Sequence, residues 1–166
     1  MRKTIVGVMG GCSASEETIA NAREMGRLIA ENGWTLLSGG RPTGVMQASV
    51  TGAHEAGGFT IGVLYDEDRD GGSVGLDVVI PTGMGAGRNV INVLSSDVVV
   101  ACRGTGGTTS EIALALRFGR PVVLLDFNPG EVFLKSCAAD ARYSLASTPQ
   151  EAAAMVAEYL KELGRG

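Results

Sequence analysis

The chain has 166 residues, 45% of them hydrophobic, with Lys+Arg 14 against Asp+Glu 18 and a net charge of −4. That length predicts one domain whose core needs no disulfide or metal staple, and the composition excludes fibrous and disordered classes. The acidic balance argues against a nucleic-acid partner.

Glycine is the outlier: 25 residues, about 15% and roughly twice ordinary usage, which points to many tight strand-to-helix turns. Apolar runs at 4–9, 35–38, 59–64, 76–80, 97–102 and 121–125 predict strands. Several, such as Val98-Val99-Val100-Ala101, are apolar without alternation, as expected of strands covered on both faces. Helices are predicted between them. The first runs over 15–32, where Ile19, Ala22, Met25, Leu28 and Ile29 recur at helical spacing and Asn32-Gly33 stops it. The others are expected at 45–56, 88–95, 109–118 and 149–163, the last with Thr148 as N-cap, Pro149 in the first turn and Glu151 completing a capping box. The polar stretch 66–73 reads as a surface loop. This alternation predicts an α/β fold: a single domain over 1–166, with an open parallel sheet of about six or seven strands and helices on both faces.

Three cysteines, Cys12, Cys102 and Cys137, are unclustered, which suits a reducing compartment. The single histidine, His54, excludes a multi-histidine metal site, and no metal is expected. No signal peptide or membrane-length apolar run is read, so a cytoplasmic protein with no membrane partner is expected. The lysines are Lys3, Lys135 and Lys161, which leaves 4–134 without one. A Walker A loop is therefore excluded, and a Schiff-base lysine is not expected in the glycine-rich part.

Chemistry in an open α/β sheet gathers beyond the carboxyl ends of the strands. Three glycine-bearing turns fall there: Gly10-Gly11-Cys12-Ser13-Ala14-Ser15, Ser38-Gly39-Gly40-Arg41-Pro42-Thr43-Gly44 and Arg103-Gly104-Thr105-Gly106-Gly107-Thr108-Thr109. Each joins a strand to a helix whose first N–H groups lack partners, so together they form a candidate phosphate site. A nicotinamide-dinucleotide site fits badly. The first turn lacks Gly-x-Gly-x-x-Gly, and the second strand ends in Ser38-Gly39-Gly40 with no carboxylate for a ribose.

These turns, in this order, resemble the LONELY GUY (LOG) family and its relatives, the molybdenum-cofactor carrier proteins. Arg103-Gly104-Thr105-Gly106-Gly107-Thr108-Thr109-Ser110-Glu111 falls on the enzymes' Pro-Gly-Gly-x-Gly-Thr-x-x-Glu, with Arg103 for the proline and Thr105 for the second glycine. Ser38-Gly39-Gly40, Gly44-Val45-Met46 and Gly57-Gly58-Phe59-Thr60-Ile61-Gly62-Val63 resemble three further family segments. Met84-Gly85-Ala86-Gly87-Arg88-Asn89 stands where LOG enzymes carry Met-His-x-Arg-Lys, one residue longer and without the histidine; Arg88-Asn89 followed by Val90-Ile91 looks more like the carrier branch.

The resemblance implies a Rossmann-like fold and a bound AMP-like nucleotide or molybdenum cofactor, with no cofactor required for catalysis. It also implies a homo-oligomer, a homodimer or homotetramer. On the LOG reading the protein is a phosphoribohydrolase. It cleaves the N-glycosidic bond of a nucleoside 5′-monophosphate to free base and ribose 5-phosphate, with Arg88 and Glu111 catalytic. The lysine decarboxylase label carried by parts of this superfamily finds no support, since no lysine lies near the turns.

The alternative is a non-enzymatic carrier for molybdenum cofactor or a related phosphorylated ligand. Retained Glu111 and Arg88 put the enzyme first; the missing Pro and His favour the carrier. The expected ligand-binding residues are Gly10, Gly11, Ser13, Gly39, Gly40, Arg41, Asn89, Gly104, Thr105, Gly106, Gly107 and Thr108. Glu111 has a competing reading, since Thr108-x-x-Glu111 has capping-box spacing. Met9, Met46 and Met84 either line a base pocket or pack in the core, and His54 reads as an exposed or interface residue.

Overall fold

In the computed structural model, which describes residues 2–165, the strands are β1 (Ile5–Met9), β2 (Thr35–Ser38), β3 (Thr60–Leu64), β4 (Val78–Pro81), β5 (Val98–Cys102), β6 (Val122–Leu125) and β7 (Tyr143–Ala146). They form one 7-stranded parallel sheet in the order β4-β3-β2-β1-β5-β6-β7. The helices are α1 (Glu16–Glu31), α2 (Gly44–Glu55), α3 (Asn89–Ser95), α4 (Gly106–Arg117), α5 (Glu131–Cys137) and α6 (Pro149–Glu162), with a 3₁₀ turn at Gly85–Arg88 leading into α3. This is a Rossmann-like, doubly wound sheet, as the alternating pattern and the resemblance anticipated.

Strand side chains alternate between two cores, as the pleat requires. Val6, Val8, Val98, Val100 and Val123 pack with Met25 and Ile29 of α1, Val50 of α2 and Val156 of α6. Met9, Leu37, Val99, Val122 and Leu124 point the other way, to Val93 of α3, Ile112 and Leu116 of α4 and Leu134 of α5. The helix ends follow the sequence signals. Ser15 Oγ accepts from the Thr18 N–H at the start of α1. At α6, Thr148 Oγ1 accepts from Glu151 N, and Glu151 reaches back to the Ser147 N–H.

Three expectations need correction. The fourth helix begins at Gly106, not 109, because Thr105 takes the extended N-cap conformation and both glycines join the first turn. The fourth strand is displaced to Val78–Pro81; just before it the Asp77 carboxylate accepts from the Thr60 N–H at 2.8 Å while the Asp77 N–H donates to the Thr60 carbonyl at 3.2 Å. Helix α5 and strand β7 were not foreseen; β7 is a partly exposed edge strand of four residues with a weak apolar signal.

Helices α1 and α2 cross at Gly26 and Gly52. A Cβ on Gly26 would overlap the Ser49 carbonyl, and one on Gly52 the Arg23 carbonyl. Both obstacles are backbone, so neither can step aside. Gly52→Ala is expected to cost about 2 kcal/mol by overpacking, which for a chain of this size lowers the thermal midpoint by about 4–8 °C. An unchanged midpoint would show that the two helices separate freely.

Candidate functional site

Strands β1 and β5 lie side by side and their connections leave toward opposite faces, so a crevice opens beyond their carboxyl ends. The turns close on one another there. The Gly11 N–H donates to the Arg103 carbonyl at 3.2 Å, and the Val45 N–H at the start of α2 donates to the Gly11 carbonyl at 3.0 Å. A side chain on Gly104 would strike Thr108, and one on Gly10 would strike Val45, so these glycines permit the approach.

The resulting cleft holds about 160 Å³. Of the residues expected at the site, Gly10, Gly11, Gly39, Arg41, Arg88, Asn89, Thr105, Gly107, Thr108 and Glu111 line it. Ser13 and Gly104 instead border a separate depression of about 310 Å³ with Arg103, Ser15 and Thr18; Thr105 touches both spaces. Gly40 is buried with a positive φ of 73° against Gly62, so its place is structural. Gly106 is exposed at the start of α4, outside the cleft lining. Met9 and Met46 line the cleft while largely buried; Met84 is exposed and does not. His54 is exposed.

Arg88, at the end of the 3₁₀ turn, is only 8% exposed. Its Nη1 donates to the Val63 carbonyl at 3.0 Å, and its Nε has no partner among the described residues. Gly39 makes room for it, since a Cβ there would overlap the guanidinium. Burial pushes the Arg88 pKa below its ordinary value; Glu111 pulls it up and Arg41 pushes it further down.

Glu111 projects from α4 and is 6% exposed. Its Oε1 accepts from Asn92 Nδ2 at 2.8 Å. Burial raises its pKa, against the opposing pull of the Asn92 bond and of Arg88. The ion pairs found among the described residues do not include Arg88 with Glu111. The two charges face a common space without closing it.

The capping reading of Glu111 is corrected. Because α4 starts at Gly106, Thr108 is already helical and Glu111 sits beyond the first turn, where no N-terminal N–H needs it. Thr105 makes no side-chain cap bond, which leaves the first N–H groups of α4 available. Asn89 does not point freely at a ligand: its Nδ2 donates to Ser110 Oγ at 2.9 Å, tying α3 to α4.

Sequence reasoning missed Cys12, Tyr65 and Asn92. Tyr65 follows the last residue of β3, a position the strand-end rule flags. Asn92 lies four residues after Arg88, which puts both on one helical face. Tyr65 underlies Arg41, whose Cζ stands 4.6 Å from the ring centroid.

The SLOG cluster4 family model matches residues 3–153. The chain belongs to the SLOG cluster4 family. Among solved structures it is similar to the molybdenum cofactor binding protein of Rippkaea orientalis, at 42% identity and a TM-score of 0.88, covering 96% of this chain and 99% of that one. It is similar to the molybdenum cofactor carrier protein of Chlamydomonas reinhardtii at 44% identity and a TM-score of 0.86, with the same coverage. It is 33% identical over 129 residues to the cytokinin riboside 5′-monophosphate phosphoribohydrolase of Mycobacterium tuberculosis, covering 69% of this chain and 67% of that protein. This SLOG chain has, among its described residues, no helix long and apolar enough to cross a membrane.

Proposed function

We propose that the protein binds and carries molybdenum cofactor or a related phosphorylated heterocycle, without turning it over. The observation that carries this reading is the buried Arg88 guanidinium, with an unpartnered Nε, lining one cleft with the uncapped start of α4. A phosphate group supplies the partners that both lack: oxygens for the Nε–H and for the N–H groups near Gly107 and Thr108. The residues therefore fit a phosphorylated ligand, and the cargo brings its own metal and ring chemistry. The likeness to two molybdenum-cofactor proteins over nearly the whole chain supports the same assignment.

Glu111 supports carriage over hydrolysis. A carboxylate that stabilises a developing oxocarbenium ion works in its charged form, and burial disfavours that form here. Its Oε1 is also held by the buried Asn92. The second reading, a phosphoribohydrolase, is favoured by Arg88 and Glu111 sharing one cleft and by the mycobacterial relative. In that reaction Glu111 faces the ribose while Arg88 and the α4 N–H groups hold the phosphate.

The experiment is calorimetry with AMP, GMP and ribose 5-phosphate, run beside an assay for free base and mass spectrometry of whatever co-purifies. Binding without base release, and a co-purifying phosphorylated pterin, are expected. Release of adenine or guanine above the blank moves the hydrolase to first place. No binding of any phosphate ester at millimolar concentration removes both readings.

The proposal includes a homo-oligomer, a homodimer or homotetramer, located in the cytoplasm. Leu94 and Phe118 are exposed at the C-terminal ends of α3 and α4. Light scattering is expected to return at least a dimer, and a strict monomer at micromolar concentration contradicts this.

A further inference from the structure

We propose that Arg41 and Tyr65 form a stacking platform that makes this cleft select phosphate esters bearing a planar heterocycle over bare sugar phosphates. The proposal rests on the phosphate-binding reading above and adds what recognises the rest of the ligand.

The pair is built from two elements. Arg41 comes from the turn after β2, and Tyr65 from the residue after β3. Their contact, 4.6 Å from guanidinium carbon to ring centroid, is a cation–π pair. The backbone under Arg41 is fixed: Ser73 Oγ donates to the Arg41 carbonyl and the Ser73 N–H to the Gly40 carbonyl, both at 2.6 Å. The end of the 66–73 loop therefore holds the Arg41 turn in place.

Arg41 is absent from the ion pairs found among the described residues, although Asp66, Glu67 and Asp68 follow its tyrosine partner directly. A guanidinium paired with a carboxylate uses its N–H edge. One held over an aromatic ring has no carboxylate on that edge, and a second π system can pack against the pair. The rest of the cleft suits a flat ring. Gly10, Gly11 and Gly39 contribute backbone without side chains, and Met9 and Met46 contribute polarizable apolar surface. Gly39 also keeps Met46 in place, since a Cβ there would come within 2.7 Å of its Sδ. With the phosphate at the α4 end beside Arg88, the ring of an extended ligand is left to the Arg41 side.

The bland alternative is that the stack merely pins the 66–73 loop. Calorimetry separates the two with AMP and ribose 5-phosphate as probes, which share the phosphorylated sugar and differ by the ring. Wild type is expected to bind AMP at least about tenfold more tightly, the scale of one base–aromatic stack. Tyr65→Leu and Arg41→Lys should bring that ratio close to one by weakening AMP alone; Tyr65→Phe should preserve it. If wild type binds both probes equally, the platform is overturned and the phosphate site stands. If the variants weaken both probes by the same factor, the role is structural and the proposal fails. If wild type binds neither, the phosphate reading falls together with this one. Should Tyr65→Leu melt far below wild type, the Arg41→Lys ratio decides alone.

Discussion

Arg88→Ala is expected to weaken AMP binding by about a hundredfold, with a melting temperature within a few degrees of wild type. Arg88 is buried, yet its Nε has no partner and its Nη1 bonds one carbonyl. Burial lowers its pKa, so the free protein holds the charged form at a cost. A bound phosphate removes that cost and gains a charge-assisted bond, so the arginine's contribution appears in the complex more than in the free protein. Truncating one member of a desolvated charge pair typically costs at least about 2–5 kcal/mol of binding, hence the hundredfold. Arg88→Lys should rescue little, because one ammonium cannot both reach the Val63 carbonyl and offer a planar fork to the ligand. Calorimetry with AMP, beside a melt, checks this; a loss under threefold with the fold intact would place the anion elsewhere.

How much of this was legible beforehand follows from burial. Strands β1, β2, β5 and β6 are nearly or wholly buried, so their apolar runs declared them. Strand β7 has one edge unpaired and only Ala146 buried, so little in Tyr143-Ser144-Leu145 distinguished it from loop. Helix α5 has a single buried residue, Leu134, and left equally little periodicity.

The candidate site divides the same way. The glycine turns announced where a ligand could sit, because close backbone approach demands glycine. The meeting of Arg88 with Glu111 came from family likeness, not local spacing. It depends on α3 and α4 packing side by side, which no local pattern in either segment encodes. The same packing decides against the Glu111 cap. Whether Gly106 and Gly107 extend the helix or end the turn is set by tertiary contacts, since glycine itself is indifferent.

Glu111 carries the other large expected effect, and its two substitutions should part in sign. Glu111→Ala removes the carboxylate that accepts from Asn92, a residue fully buried with its Oδ1 already unpartnered. It also leaves a cavity where the buried side chain stood. An unpaired buried polar group and a cavity of this kind together cost about 3 kcal/mol, a drop of about 6–12 °C in the thermal midpoint at this size. Glu111→Gln keeps the oxygen for Asn92 and loses the charge. The folded-state pKa of Glu111 is raised above its unfolded value. Its contribution to stability is therefore fully present below the ordinary glutamate pKa, about 4.3, and is lost as pH rises through the folded value. Glu111→Gln has no such loss, so above that window it should melt at or above wild type, and the difference should close at acid pH. The same charge repels a phosphate in the cleft, so Glu111→Gln should tighten AMP binding and flatten its pH dependence. A catalytic carboxylate behaves otherwise: its amide would leave binding nearly unchanged and lower base release by about 10²–10⁴-fold. Melts and AMP calorimetry across pH 4–8, on wild type and Glu111→Gln, therefore distinguish a carboxylate that tunes the cleft's charge from one that does chemistry there.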